Sequence, residues 1–292
     1  MKYQTIIDTV AIQIDLTHEE ARNNRLTEVL NIFRKENLFI ATNNYPTNQH
    51  AHFFIREYKV KANQTTVASI RIGSFSIKDT TTNTVITTYY VAIEFAGLVS
   101  YNADQDKLSH MMLFRVCSYF NTRHITFKIT GLDVAIDLYT KFENVLALCI
   151  KKSPKTVYYA ANELQWYDTT HYIENIPKNK QSLVVQRAYI YDKTIKEGLP
   201  YHLTRFEVAL QPKFFSNNRS NTVMKIISAI NRYYVMYVPN KKERKQIVEK
   251  YDALPTLRQR DIRKLKLDEY RCYPDASEIT VFLNQMYAVR ES

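Results

Sequence analysis

The stretch Gln186–Leu210 is QRAYIYDKTIKEGLPYHLTRFEVAL. Two strand-like runs, Arg187–Tyr191 and Leu203–Leu210, flank a polar turn containing Gly198 and Pro200, which is the pattern of a β-hairpin. Side chains alternate across a strand, so Tyr189 and Tyr191 share one face and Lys193 continues that side. In the second run Arg205 and Glu207 share a face, while Phe206 and Val208 point the other way. The hairpin therefore presents tyrosines, a lysine, an arginine and a carboxylate from adjacent strands.

The chain around it has 292 residues, enough to bury a large core as one domain or as two packed halves. It holds only four glycines, which excludes a Gly-rich phosphate loop of the P-loop or dinucleotide type. A formal net charge of +11 favours a polyanionic partner, most simply nucleic acid. Cys117, Cys149 and Cys272 are far apart and odd in number, so a zinc site or a disulfide framework is not expected. No apolar run approaches membrane-spanning length, and the start of the chain does not read as a signal peptide. The expectation is a soluble, cytoplasmic protein with no membrane partner.

Ile6–Leu16 alternates apolar and polar residues and predicts a half-buried strand. A helix follows from Thr17 to about Lys35, with Leu26, Val29, Leu30 and Phe33 on one face. Three strands are expected at His52–Val60, Val67–Ile77 and Val85–Phe95, and then a helix at Leu108–Phe120. Asp8–Thr17 (DTVAIQIDLT) and Asp133–Thr140 (DVAIDLYT) are similar strands, each with a second Asp near its end. After the second copy a helix is expected at Phe142–Ile150, then short strands at Thr156–Tyr159 and Glu163–Tyr167 and the hairpin. This order predicts two copies of one unit, built as strand, helix and antiparallel strands. The fold class expected is α+β, with two pseudo-repeated antiparallel sheet-plus-helix units forming a saddle.

From Asn217 the composition turns helical and basic. Helices are expected at Thr222–Tyr237, Lys241–Lys250, Thr256–Leu267 and Glu278–Val289. The expected division is an N-terminal repeat over 1–120, a second repeat carrying the site over 121–216, and a basic helical region over 217–292.

Asp133 and Asp137 lie four apart on one strand and so face the same side. Like charges there repel unless a cation or a basic side chain sits between them, and a hard divalent ion such as Mg²⁺ or Mn²⁺ uses such oxygens and also binds phosphate. A nucleophilic tyrosine must lose a proton whose pKa is about 10, and a nearby metal or a cation such as Lys193 or Arg205 lowers that cost. Glu207 is a further candidate ligand for such a metal.

The order GLDVAIDL, YIYDK and TRFEVAL resembles the Rep_trans-type rolling-circle replication initiators of plasmids. It is similar also to the related relaxases of integrative elements and to initiators of filamentous phages. In these proteins a strand of the type R-x-D-x-A-x-D precedes an R-x-Y-D/N-K motif and an R-x-E strand. The resemblance spans roughly Ile6 to Phe215; Gly131 stands where the family often has Arg. It implies metal-dependent nicking of one origin strand by a tyrosine, giving a 5′-phosphotyrosine and a free 3′-OH primer. Carried over, Tyr191 is the nucleophile with Tyr189 as its competitor, and Lys193 and Arg205 hold phosphate. Asp133, Asp137 and Glu207 are the metal-site candidates, for Mg²⁺ or Mn²⁺. The partners implied are double-stranded origin DNA and a single-stranded or hairpin nick site. A host helicase is also implied, since no P-loop is present, and a homodimer is one assembly such initiators adopt.

Two rival expectations stand beside this one. His50-Ala51-His52 has the His-hydrophobic-His spacing of a different class of nicking enzymes, the HUH class, and Tyr58 has no helical pattern around it. The other rival is a non-catalytic, sequence-specific DNA-binding protein on the same scaffold, a degenerate initiator or regulator.

Overall fold

The computed structural model describes residues 1–16, 19–43, 56–63, 65–78, 83–99, 101, 108–149, 159–160, 170–172, 186–217, 222–253 and 267–288. The architecture is α+β, with long antiparallel strands and helices. By its contacts the chain forms two compact units. The first comprises Asp8–Leu132 with Phe282–Ser292, and the second Met1–Ile7 with Asp133–Val281.

The first unit starts in β1 (Tyr3–Leu16), whose alternation buries Val10, Ile12, Ile14 and Leu16. Helix α1 (Glu19–Arg34) buries the expected face of Leu26, Val29, Leu30 and Phe33. An antiparallel meander follows: β2 (Phe39–Asn43), β3 (Arg56–Ala62), β4 (Thr65–Lys78) and β5 (Val85–Ala96). β2 is an addition to the expected strands. β5 returns to β1, placing Glu94 opposite Ala11 and Ala92 opposite Gln13. Gly97 then turns the chain with a left-handed φ of 64°, which costs glycine little. Helix α2 (Leu108–Thr122) buries Met112, Leu113, Val116 and Phe120. Phe33 of α1 stacks on Phe95 of β5 with ring centroids 6.2 Å apart.

The second unit starts in β6 (Lys128–Leu138), which, like β1, contributes residues to both units. Where a helix was expected at Phe142–Ile150, a single 3₁₀ turn at Phe142–Asn144 leads into strand β7 (Val145–Cys149). A short apolar run buried on both sides has no periodicity to distinguish strand from helix. Next come β8 (Tyr159–Ala160), β9 (Thr170–Tyr172), β10 (Gln186–Asp192), α3 (Lys193–Glu197) and β11 (Thr204–Leu210). They are followed by α4 (Pro212–Asn217) and α5 (Thr222–Ile230).

The helix expected over Thr222–Tyr237 ends at Ile230, and Tyr233–Tyr237 is strand β12. The YYVMY run is aromatic and β-branched and is almost wholly buried, which suits a sheet better than a helix. The remaining elements are α6 (Lys241–Asp252), a 3₁₀ turn at Leu267–Tyr270, β13 (Arg271–Cys272) and α7 (Ala276–Tyr287). β12 lies between β13 and β7 in a small three-stranded sheet. Leu148, Tyr234, Met236, Val238, Ile247, Tyr251 and Leu267 form its core. The expected strand Glu163–Tyr167, and most of Thr156–Tyr159 and of the helix Thr256–Leu267, lie outside the described residues, as do His50 and His52.

The two copies share a strand order. One runs β2-β3-β4-β5-β1 and the other β8-β9-β10-β11-β6. In each, the first strand of the copy pairs with the last strand of the meander that follows it. The α-helix after the first strand is kept in only one copy among the described residues.

Phe33 has no exposed surface, so Phe33→Ala removes a whole ring from the core of the first unit. The expected loss is about 3–5 kcal/mol, measured by urea unfolding at equilibrium. A loss below about 1 kcal/mol would show that the α1 contact with β5 contributes little.

Candidate functional site

The site is built on the β10–β11 hairpin. Its register sets Tyr189 opposite Glu207 and Tyr191 opposite Arg205. The connection is more ordered than a polar turn. Asp192 caps α3 by accepting from the Ile195 N–H at 3.2 Å, and Gly198 ends the helix in the left-handed region at φ 63°. The Leu203 N–H donates to the Thr194 hydroxyl at 2.7 Å, which ties the returning chain to the helix.

One carboxylate collects both tyrosines. The Tyr191 hydroxyl donates to Glu207 Oε2 at 3.0 Å, and the Tyr189 hydroxyl donates to Glu207 Oε1. The two rings stack with centroids 5.9 Å apart. Burial pushes the Tyr189 hydroxyl well above the usual tyrosine range. The charges of Glu207 and Asp133 and the hydrogen bond to Glu207 act in the same direction, and Arg187 offsets them in part.

Arg205 is fixed from below. Its Nε donates to Asp137 Oδ1 at 2.7 Å and its Nη2 donates to Asp137 Oδ2 at 3.0 Å, a two-point pair in which both side chains are 0% exposed. The third guanidinium nitrogen, Nη1, lies 3.9 Å from Glu207 Oε2. Asp137, Arg205 and Glu207 thus alternate in charge, joined by hydrogen bonds on the Asp137 side and by a longer ion pair on the Glu207 side, and Tyr191 donates to the last of them. Lys193 is buried and pairs with Glu197 at 2.7 Å. Lys196 stands over the Tyr191 ring, 4.6 Å from its centroid.

The six residues singled out in the sequence are distributed as follows. Tyr191, Arg205, Glu207 and Asp137 converge in one network. Asp133, on the same face of β6, is half-buried and close enough to act on the Tyr189 hydroxyl. Lys193 begins α3 and is held by Glu197. Asp137 is committed to Arg205, and no group of three His, Cys, Asp or Glu side chains among the described residues is placed to hold a metal ion. Both Glu207 oxygens already accept from tyrosine hydroxyls. Lys196 and Glu197 were not anticipated. The i,i+4 spacing of Lys193 and Glu197 signals their pairing once the turn is recognised as helical.

The first copy shows what is particular to this site. Matching Val10-Ala11-Ile12 to Val134-Ala135-Ile136 and Glu94 to Glu207 puts Gln13 where Asp137 is and Ala92 where Arg205 is. The β4 partners are then Ser69 for Tyr189 and Arg71 for Tyr191. The acid is retained, and Arg71 binds it there, Nη1 to Glu94 Oε2 at 3.3 Å. The tyrosines and the buried ion pair belong to the second copy alone.

No family model matches this chain, and no curated protein matches it. Among solved structures, the chain is similar to a rolling circle replication initiator protein from Geobacillus stearothermophilus. The TM-score is 0.43 and the identity 10%, over 81% of this chain and 87% of that one. Among the described residues, no helix is long and apolar enough to cross a membrane.

Removing Asp137 leaves a buried guanidinium without its carboxylate. Asp137→Ala is expected to cost about 3–5 kcal/mol in chemical unfolding, and the double variant Asp137→Ala/Arg205→Met to recover most of it. A pH prediction follows from Tyr189, an acid whose folded pKa is raised. Its contribution is complete below the unfolded pKa of about 10 and is lost as pH rises through that value toward the folded one. Stability measured from pH 9 to 11.5 should fall less steeply in Tyr189→Phe than in the parent; equal slopes would contradict the assignment.

Proposed function

We propose that this protein is a replication initiator or relaxase that nicks one strand of origin DNA by transesterification onto Tyr191. The observation that carries the reading is the Glu207 carboxylate, set between the Tyr191 hydroxyl and an arginine locked in place by Asp137. In the proposed reaction Glu207 Oε2 takes the Tyr191 proton as the tyrosine oxygen attacks phosphorus. The P–O3′ bond breaks, the proton passes to the departing 3′ oxygen, and a 5′-phosphotyrosine remains. The covalent link keeps the energy of the phosphodiester, so the strand can later be rejoined.

The charges suit these roles. Tyr189, held protonated by burial and by two carboxylates, acts as the donor that orients Glu207. Lys196, above the Tyr191 ring, is the first cation an approaching phosphate meets. Arg205 near Glu207 steadies the carboxylate rather than binding phosphate, since Asp137 occupies two of its nitrogens. A Mg²⁺ or Mn²⁺ ion is commonly bound by one or two carboxylates plus substrate phosphate, and Asp133 with Glu207 would hold it here. When bound, it would neutralise phosphate charge. The net charge of +11 supports DNA as the partner, with affinity that falls as salt rises. Strand unwinding falls to a host helicase.

A second reading, a non-catalytic DNA-binding protein, is favoured by one observation: Tyr191 is only 4% exposed. A covalent-adduct assay separates the two. Supercoiled DNA carrying the protein's own gene and flanks is incubated with protein and Mg²⁺ or Mn²⁺ and stopped with SDS. The parent and Tyr189→Phe should yield nicked DNA with protein attached, Tyr191→Phe none, and Glu207→Gln a rate lower by about 10²–10⁴-fold. An adduct that survives in Tyr191→Phe sinks the assignment, and its loss in His50→Ala/His52→Ala instead moves the site to the histidines. Tight DNA binding with no adduct from any protein supports the non-catalytic reading.

A further inference from the structure

The face that carries the tyrosine network continues past it. Along β6 the residues on that face are Asp133, Ala135 and Asp137, and Tyr139 follows in the bend just past the strand's end. Tyr139 follows Asp137 by two positions. Its ring stacks on Tyr201, which lies in the connection between α3 and β11, with centroids 6.1 Å apart and planes 29° from parallel. Tyr201 is 37% exposed, and Tyr139 is half-buried. Lys2 places its ammonium 5.1 Å from the Tyr139 centroid.

Backbone and side-chain ties fix this pair. The Tyr139 N–H donates to the Lys2 carbonyl at 3.1 Å. The Thr204 hydroxyl donates to the Thr140 carbonyl at 2.9 Å, which holds the Tyr201 loop against the end of β6. A single exposed aromatic on a surface is ordinary. Two stacked rings tied down at both supports, with a cation beside them and an open outer face, form a prepared aromatic surface. It is also specific to the second copy: the position matching Tyr139 is Asp15 at the end of β1, and Asp15 is paired with Lys128 at 2.5 Å.

We propose that Tyr201, backed by Tyr139 and with Lys2 beside it, is a stacking platform for one unpaired base of the DNA strand, one or two nucleotides from the phosphate held at Tyr191. The proposal rests on the nicking reading for its register, and on the aromatic pair itself for its chemistry. Every base has a π face, so the platform takes a base of any identity and prefers unpaired strands to duplex. The Lys2 ammonium meets the backbone of the same strand. Holding that base out of the stack would fix the flanking strand, which is what an in-line attack by a tyrosine on a β-strand requires.

The test uses a fluorescein-labelled oligothymidylate and, separately, a labelled duplex, in full-length protein carrying Tyr191→Phe so that no strand is cut. Adding Tyr201→Ala should raise the Kd for the single strand about tenfold and leave the duplex Kd within twofold. The slope of log Kd against log salt should stay unchanged, because no phosphate contact is lost. Tyr201→Phe should bind like the parent, and Tyr201→Trp should show indole quenching on addition of the oligonucleotide. Unchanged single-strand affinity in Tyr201→Ala, or equal losses on single strand and duplex, overturns the platform. If the tenfold loss is found while no tyrosine adduct forms on any DNA, the platform stands and the nicking reading falls. If adducts form and Tyr201→Ala binds normally, the reverse holds.

Discussion

Two full charges, on Asp137 and Arg205, have been removed from water and set against each other with both nitrogen–oxygen contacts satisfied. Taking such ions out of solvent costs several kcal/mol each after relaxation, and the pair recovers this only when the geometry is close to ideal. That condition constrains the surroundings. β11 must stay beside β6, the Arg205 side chain has a single acceptable direction, and its remaining nitrogen is carried toward Glu207. The placement of Glu207 then decides where two tyrosine hydroxyls can donate. A chain of alternating charge and dipole runs from a buried acid out to a phenol, and each member limits the freedom of the next.

The same arrangement sets two tyrosines apart that the sequence treats alike. Tyr189 and Tyr191 are two residues apart on one strand, stacked, and bonded to the same carboxylate. Burial and the charges of Glu207 and Asp133 raise the Tyr189 hydroxyl above the usual tyrosine range, so it stays protonated as it donates to Glu207. Tyr191 lies nearer the guanidinium side of Glu207 and beneath Lys196. Environment, rather than residue type, thus gives two neighbouring phenols different surroundings.

Much of this was legible in the chain. Period-two alternation located β1, β4, β5 and the hairpin, and it placed Tyr189 with Tyr191 and Arg205 with Glu207 on common faces, because a strand face is a local property. The apolar stripe of α1 was legible for the same reason. The failures also have a local cause. Val145–Cys149 and Tyr233–Tyr237 are short runs buried on both sides, and they pair with each other, Leu148 opposite Tyr234, nearly ninety positions apart in the chain. The commitment of Asp137 to Arg205 spans 68 positions. A partner at that distance leaves no trace in local pattern, so two acids four apart on a strand suggested either a cation or a basic side chain, and for Asp137 only the fold shows that Arg205 is that side chain.

The duplicated architecture turns that pair into an argument about purpose. In the first copy the same strand order is closed with Gln13 facing Ala92, and no ion pair is needed at that position. Ser69 and Arg71 stand where the tyrosines stand, and the retained acid is satisfied by Arg71. The sheet therefore folds without Asp137, Arg205, Tyr189 or Tyr191 at their positions. A buried salt bridge is in any case weak evidence of stabilisation, since well-packed apolar side chains commonly do as well. These residues are costly to bury and occur in one copy only, which fits the role proposed for them better than a purely structural one. The network itself is buried, and the Lys196 ammonium over the Tyr191 ring and the partly exposed Tyr139–Tyr201 pair lie beside it.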